Sequence, residues 1–483
     1  MKNTIRTRFA PSPTGFLHVG AARTALFAWL TAKQADGQFI LRIEDTDKKR
    51  EVSGAEQHII NSLEALAIIP DESPLHGGDH GPYRQSERLG LYKEWAQRLI
   101  TNGRAYADPY TVEEVQQFRQ QAQQNKTPFL FRNHRPENPP QWDGRTPLRF
   151  KSEPKSYSWH DEVMGDKQSG PEVIDDFILV KSDGYPTYNF AHIIDDMLME
   201  ITHVIRGQEF MASMPNYLNL YEALDLDTPV FATMPPIMGP GGNKKLSKRD
   251  GATDILDYLH KGYRADSLVS FIATLGWNDG TEKEIFSRQE LIDSFSLDRV
   301  GRGGAIFDDK RLNWINGVAI RNMSIEELYE HGRDYLPQAA QKFDETYNKK
   351  VLSLLQERLK FFAEITDLSH FFYEKPPVRL DLIADHKKLK QLTNDELASL
   401  LDRTAETLQK LDDFSTATIT SALNSLLEQT EQKPVVLFSL IRIAVTRAPA
   451  SPGLADTVVA LGKKATLDRI NECAAALKSA KQE

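Results

Sequence analysis

Residues 4–47 confine the start of the chain to one kind of fold. TIRTRFA (4–10) sets Ile5 and Phe9 among polar neighbours in a short strand-like run, and Pro11, Pro13 and Gly15 then turn the chain sharply. From Ala21 the apolar positions Ala22, Ala25, Leu26, Trp29 and Leu30 follow the helical period as one stripe, and Gly37 is placed to end it. QFILRIED next reads as a buried strand closing in acids. Strand, crossover helix and parallel strand form the repeating unit of nucleotide-binding α/β domains, so a doubly wound parallel sheet is predicted here.

The rest of the chain changes texture several times. Residues 54–68 and 86–100 read as helices, the second with Ser86 as its N-cap. Residues 109–150 are rich in Pro, Gln and Arg and lead into a strand-rich stretch up to Tyr185, the pattern of an α+β subdomain inserted into the first fold. Apolar runs return over 186–238, and a glycine-punctuated, lysine-rich loop follows at 237–251. From 323 onward the pattern is all-α: Leu397, Leu400, Leu401, Thr404, Leu408 and Leu411 keep the helical period, as do Leu467, Ile470, Ala474 and Leu477. The predicted division is 1–105 with 186–240 as the α/β domain, 106–185 as the insert, 241–322 as a region carrying the lysine loop, and 323–375 and 376–483 as two helical domains.

Composition removes several function classes. At 483 residues, several cores can be buried without staples. A net charge of −9 argues against a protein that coats nucleic acid or anionic lipid non-specifically, though not against a local basic patch. The single cysteine, Cys473, excludes disulfide frameworks and zinc sites built from cysteine pairs, and it suits a reducing compartment. No apolar run approaches the roughly 18 residues of a membrane span, so a cytoplasmic protein without a membrane partner is expected.

Two segments carry candidate chemistry. His18-Val19-Gly20-Ala21 falls where the first strand has turned into the first helix, and unpaired N–H groups there attract anions. A glycine at that place admits a base or phosphate close to the backbone, and an imidazole donates to phosphate oxygens. A lone H-x-G is also what an ordinary loop histidine looks like. The second segment is Lys245-Leu246-Ser247-Lys248-Arg249, just after Gly239, Gly241 and Gly242. Its lysines can close over a triphosphate and neutralise charge developing on departing pyrophosphate; read alone, the same residues are a solvated basic loop. No G-x-x-x-x-G-K-[ST] loop occurs, which excludes the P-loop route to nucleotide binding.

Together the two segments resemble the HIGH and KMSKS motifs of class I aminoacyl-tRNA synthetases, and the resemblance extends to the bacterial-type glutamyl-tRNA synthetases. RFAPSPTGFLHVGAART (8–24), LRIEDTD (41–47), GPYRQSERL (81–89), SDGYPTYNFAHIIDD (182–196), ITHVIRG (201–207) and KLSKRDGA (245–252) stand in that family's order and spacing. The resemblance implies a Rossmann-like catalytic domain, an inserted acceptor-stem-binding domain, a stem-contact domain and an all-α anticodon-binding region. It also implies the reaction. Glutamate attacks the α-phosphate of ATP to give glutamyl-adenylate, and the 2′-hydroxyl of the terminal adenosine of tRNA(Glu) then takes the glutamyl group. Because the substrate carboxylate is the nucleophile, catalysis needs cations and backbone donors in place of a triad.

Carried over residue by residue, the resemblance assigns His18, Lys245 and Lys248 to phosphate charge, with Lys248 foremost, and Gly20 and Ser247 to ATP binding. It assigns Arg8, Ser12, Glu44, Tyr188, His192 and Arg206 to the glutamate pocket, Arg206 on the side-chain carboxylate and Glu44 near the α-ammonium. Outside the family blocks, Glu44 would read as a solvated acid and Tyr188 as a core aromatic. Glutaminyl-tRNA synthetases lack an arginine in the ITH-containing block and end in β-barrels, whereas this chain ends in helices.

A tRNA partner needs local positive charge whatever the total. Between 241 and 264, Lys244, Lys245, Lys248, Arg249, Lys261 and Arg264 outnumber Asp250, Asp254 and Asp257 by three. Lys244 and Arg249 are therefore candidate tRNA contacts. Arg358 matches an arginine that reads the last anticodon base in relatives, and reads equally as a surface arginine. Some relatives bind zinc through cysteines near AYADPY (105–110); that stretch is cysteine-free here, so no zinc and no protein-held metal is expected, only the Mg²⁺ that accompanies ATP. Arg447 stands where many relatives carry glycine. A monomer is expected. Open alternatives are an enzyme that also charges tRNA(Gln), or a non-catalytic tRNA-binding paralogue.

Overall fold

The computed structural model describes residues 4–246 and 254–480. The chain divides into two compact units, one running to His260 and resuming at Ala265–Leu312, the other formed by Lys261–Arg264 with Asn313 onward.

In chain order the first unit holds strands β1 (Arg6–Phe9), β2 (Gln38–Leu41), β3 (Ala105–Ala107), β4 (Leu148–Phe150), β5 (Tyr157–Asp161), β6 (Gly165–Ser169), β7 (Ile178–Val180), β8 (His203–Gly207), β9 (Val230–Met234), β10 (Ile237–Met238) and β11 (Ala305–Ile306). Its helices are α1 (Val19–Gln34), α2 (Ala55–Ala65), α3 (Leu89–Thr101), α4 (Val112–Gln124), α5 (Tyr188–Leu198), α6 (Met214–Ala223), α7 (Ile255–His260), α8 (Ala265–Ala273) and α9 (Arg288–Ser294), before a further helix, Asp309–Arg321.

The main sheet has the order β2-β1-β8-β9-β5-β6. Its neighbours run parallel from β2 to β5, and β6 closes one edge antiparallel. From β1 the chain first moves outward to β2 and later returns to lay β8 on β1's other side. That reversal opens a crevice beyond the carboxyl ends of β1 and β8, where ligands of doubly wound sheets bind. The parallel α/β core and the helical C-terminal region are as expected from the pattern. The edge strands β5 and β6 come from within 106–185, while β3, β4 and β7 of the same stretch form a separate antiparallel sheet.

Local details differ from the expectations in physically explicable ways. The first helix begins at Val19, two residues before Ala21, from which the helical pattern runs, because the His18 side chain caps it. At its far end Asp36 takes the left-handed conformation, φ 50°. Gly37 is needed for another reason: a Cβ there would collide with the carbonyl of Ile5. Ser86 is not a cap. It sits inside the 3₁₀ turn Gln85–Glu87, its N–H donating to Asp45 Oδ1 at 2.9 Å, and the α-helix starts only at Leu89.

The second unit is helical and buries two apolar clusters, one running from Ile320 to Tyr373 with Ala460 added, the other from Ile383 to Leu477. In the helix Asn394–Gln409 the stripe Leu397, Leu400, Leu401, Thr404 and Leu408 is buried, as the period requires. Arg447 ends the helix Pro434–Thr446 at φ 59°, a conformation that favours glycine, and donates from Nη2 to the Arg469 carbonyl at 2.8 Å.

Candidate active site

The crevice at the carboxyl ends of β1 and β8 is a cleft of about 430 Å³, and eight of the sequence-derived candidates line it: Arg8, Ser12, His18, Gly20, Glu44, Tyr188, Arg206 and Lys245. They arrive from separate elements: Arg8 from β1, His18 and Gly20 from the entry to α1, Glu44 just past β2, Tyr188 from the first turn of α5, Arg206 from β8.

His18 is the N-cap of α1, and its Nδ1 accepts from the N–H groups of Gly20 at 3.1 Å and Ala21 at 3.3 Å. An accepting Nδ1 is unprotonated, which places the neutral ring's proton on Nε2. Gly20 permits this fold-back, since a Cβ there would stand 3.2 Å from His18 Cε1. Lys245 is exposed and pairs through its backbone with Met238, while Leu246 N–H donates to the Ile237 carbonyl at 2.8 Å. The lysine segment is thereby tied to β10, beside the cleft residues Pro235, Pro236 and Ile237.

Two arginines face the same cleft in different electrostatic states. Arg8 is neutralised: Nε and Nη2 donate to the two carboxylate oxygens of Asp196 at 3.0 and 3.2 Å. Arg206, 6% exposed, pairs with no carboxylate among the described residues. Its guanidinium touches Met214 Sδ, stands 5.0 Å from the ring centre of Tyr217 and 5.5 Å from that of Phe210, and meets His192 Nε2 at 3.5 Å.

His192 lies behind the cleft, stacked on Tyr188 at 4.6 Å. Its Nδ1 meets the Tyr188 carbonyl at 2.7 Å and so donates to it, leaving the Nε2 lone pair toward Arg206. Burial, helped by the Arg206 charge, pushes the imidazole down to about 3, so it is neutral at any working pH. Glu44 is also buried; burial pushes its carboxyl up to about 7 against the pull of Arg42, whose Nη2 donates to Oε1 at 3.0 Å. Among the buried groups four guanidiniums (Arg8, Arg23, Arg42, Arg206) thus stand against two carboxylates (Glu44, Asp196), so the cleft is positive even with Glu44 ionised.

Other candidates fall elsewhere. Lys244 is exposed beside the cleft segment, its carbonyl accepting from Gly239 N–H at 2.9 Å. Ser247, Lys248 and Arg249 lie outside the described residues. Arg358 belongs to the second unit, in the 3₁₀ turn Gln356–Arg358, as do Lys261 and Arg264 of the counted basic segment.

Sequence reasoning missed three buried groups. Arg42 and Asp196 hold the charges around the cleft, and Arg23 lines it with Nη1 on the Leu275 carbonyl at 3.0 Å and Nη2 on that of Pro235. Burial lowers Arg23 to about 10. The available signal was period two: Arg42 and Glu44 share one side of an extended segment.

The chain matches the family model described as tRNA synthetases class I (E and Q), catalytic domain, over residues 4–314, and that described as an anticodon binding domain over 327–474. It is 40% identical to the glutamate–tRNA ligase of Chloroherpeton thalassium and 41% identical to that of Clostridium tetani, in both cases over 97% of each chain. Among solved structures, a glutamate tRNA ligase from Elizabethkingia meningosepticum in complex with its amino acid superimposes with a TM-score of 0.84 at 33% identity, covering 98% of this chain and 100% of that one. With a parallel sheet carrying this cleft, a helical second unit and relatives matched end to end, the chain belongs to the glutamate–tRNA ligase family of class I tRNA synthetases.

Proposed function

We propose that the protein activates L-glutamate with MgATP and transfers it to the 3′-terminal adenosine of tRNA(Glu). The observation that carries this reading is Arg206: a buried guanidinium facing the cleft, with a neutral histidine where a counter-ion would be expected. Burying an unpaired charge is costly, and a ligand carboxylate removes the cost. Glutamate, with two carboxylates and one ammonium, carries one net negative charge and suits a cleft in which buried guanidiniums outnumber carboxylates. Glutamine is neutral and leaves Arg206 unpaired, which is how a buried charge rejects a near-isostere.

In this reading the side-chain carboxylate meets Arg206, the ammonium meets Glu44, and Arg8 faces the α-carboxylate. A carboxylate oxygen then attacks the α-phosphorus, the bond to the β-phosphate breaks and pyrophosphate leaves. His18 Nε2–H and the Lys245 ammonium stabilise the charge that develops on the phosphates, joined by Lys248. The tRNA 2′-hydroxyl next attacks the mixed-anhydride carbonyl, losing its proton as AMP departs. Mg²⁺ is taken as part of the ATP substrate.

The finer assignments belong to the same proposal: ATP binding by Gly20 and Ser247, glutamate contacts by Ser12, Tyr188 and His192, tRNA contacts by Lys244, Arg249 and Arg358, the five-part domain division, a cytoplasmic monomer and no zinc. For the segment where relatives hold zinc, an ionic alternative supports that last point: Asp108 pairs with Arg149 at 2.6 Å, and Tyr106 donates to Asp176 at 2.8 Å.

Glutamate-dependent ATP–pyrophosphate exchange, measured with and without tRNA(Glu), tests the reading. Exchange is expected with glutamate and tRNA and not with glutamine. Absence of exchange with both substrates and purified tRNA(Glu) would sink the ligase reading in favour of a non-catalytic tRNA-binding protein. Charging of transcripts differing only in the last anticodon base decides whether tRNA(Gln) is also a substrate.

A further inference from the structure

Adjacent residues on α5, Asp195 and Asp196, are both buried and both ionically paired, yet their closest partners differ. Asp195 is held by Arg88 Nε at 2.7 Å, Gln85 Nε2 at 2.8 Å and the Tyr92 hydroxyl, and approaches Arg42 Nε only at 3.7 Å, with no contact to Arg8. Asp196 does not line the cleft, but its partners do the recognising or hold the group that does. Arg8 donates to both its oxygens, at 3.0 and 3.2 Å. Arg42 Nη1 donates to Oδ1 at 2.8 Å while Nη2 of the same guanidinium holds Glu44 at 3.0 Å.

We infer that Asp196 is a positioning residue for glutamate recognition: one carboxylate fixes both the guanidinium facing the α-carboxylate and, through Arg42, the acid facing the ammonium. This rests on the glutamate-activating reading above. Two flexible side chains that must meet the two charged groups on the substrate's α-carbon are referred to a single rigid point on a helix. Preorganisation of that kind appears in substrate affinity, because unfixed groups must be ordered when the substrate arrives. The charge balance agrees. Burial alone would raise the Asp196 carboxyl, but Arg8 and Arg42 hold it well below the usual carboxylate range, so it stays ionised throughout the working pH range.

The test is Asp196→Asn, which keeps the shape and one acceptor oxygen but sets an amide donor against a guanidinium. In tRNA-dependent exchange, KM for glutamate is expected to rise about tenfold or more, with KM for ATP within about twofold. Asp195→Asn, the neighbouring control that loses only the longer contact to Arg42 and none to Arg8, is expected to lower Tm with a much smaller change in glutamate KM. A second readout separates positioning from general loosening. The charged and titratable groups around Glu44 are Arg42 on its own segment, Arg8 from β1, Asp196 and the neutral Tyr188 from α5 and the neutral Tyr217 from α6, and of these Asp196 raises the Glu44 carboxyl. Removing its charge should move the acid limb of kcat/KM for glutamate to lower pH.

An unchanged glutamate KM, or equal rises in both KM values with an unmoved acid limb, overturns the inference. Should Asp196→Asn not fold, Arg42→Lys keeps the charge but loses the fork joining Asp196 to Glu44; a selective rise in glutamate KM supports the inference and an unchanged one overturns it. Failure of the wild-type protein to exchange would refute the underlying reading, whereas exchange with a normal glutamate KM in these variants refutes only the role of Asp196.

Discussion

The cleft of the first unit and one apolar core of the second bury different things. In and just behind the cleft the first unit hides Arg8, Arg23, Arg42, Glu44, Asp196 and Arg206, each with less than a tenth of its surface exposed. The cluster from Ile383 to Leu477 in the second unit buries leucine, isoleucine, valine and alanine with one cysteine. Apolar burial is favourable by itself, whereas every buried ion needs a partner and good geometry to break even. A fold needs the first kind of core for stability; the second kind marks where selectivity for a charged ligand is made.

The sharpest way to break this contrast is Arg206→Ala. If the unpaired guanidinium recognises the substrate's side-chain carboxylate, its loss should lower kcat/KM for glutamate about a thousandfold, in line with truncating one partner of a buried charge pair. KM for ATP should stay near wild type. The same variant should not lose folding stability, because removing an uncompensated buried charge relieves the free protein. A lowered Tm together with normal glutamate use would make Arg206 a structural ion and erase the distinction drawn between the units.

Glu44 predicts a smaller effect with a pH signature. Burial raises its folded-state carboxyl to about 7, above the unfolded value, so the folded protein binds the extra proton between those two values. The contribution to stability is therefore present at low pH and is lost as pH rises through the folded value. Ligand binding runs the other way, since an ammonium requires the ionised carboxylate. kcat/KM for glutamate should fall as pH drops below about 7. Glu44→Gln should cost about a hundredfold at pH 8 and flatten that limb; a variant that keeps the limb assigns it to another group.

What could be read from the chain follows the same division. The β–α–β start and the leucine stripes of the second unit were legible because apolar periodicity is local and burial follows from it. The cleft's membership was legible through family blocks at β1, β2, α5 and β8. Its electrostatics were not. Arg8 sits in a short strand-like run among polar neighbours and Arg42 in a run that reads as a buried strand, and only tertiary pairing with Asp196, 188 positions from Arg8, shows how both charges are held. Nor does a sequence say that Arg206 and Arg23 are the cleft arginines left without a carboxylate among the described residues. Helix starts were a different failure. Ser86 lacks an acid three residues on and caps nothing, whereas Thr111/Glu114, Ser287/Glu290, Ser324/Glu327 and Thr393/Glu396 carry the S/T-x-x-E pattern and form capping boxes.

The smallest predicted effect sharpens the comparison from the other side. Thr393 accepts from the Glu396 N–H at 3.3 Å while Glu396 Oε2 accepts from the Thr393 N–H at 2.7 Å, closing the first turn of the helix Asn394–Gln409. Thr393→Ala should destabilise that helix by about 1 kcal/mol, the usual worth of an N-cap hydroxyl. Read as Tm, the change should amount to a few degrees in the transition of the helical unit. Glutamate and ATP KM values in the exchange reaction should not move, because the box holds no ion that the cleft uses. If this exposed cap altered glutamate KM as much as Asp196→Asn does, affinity would be tracking overall stability, and the buried ions would lose their claim to a separate role.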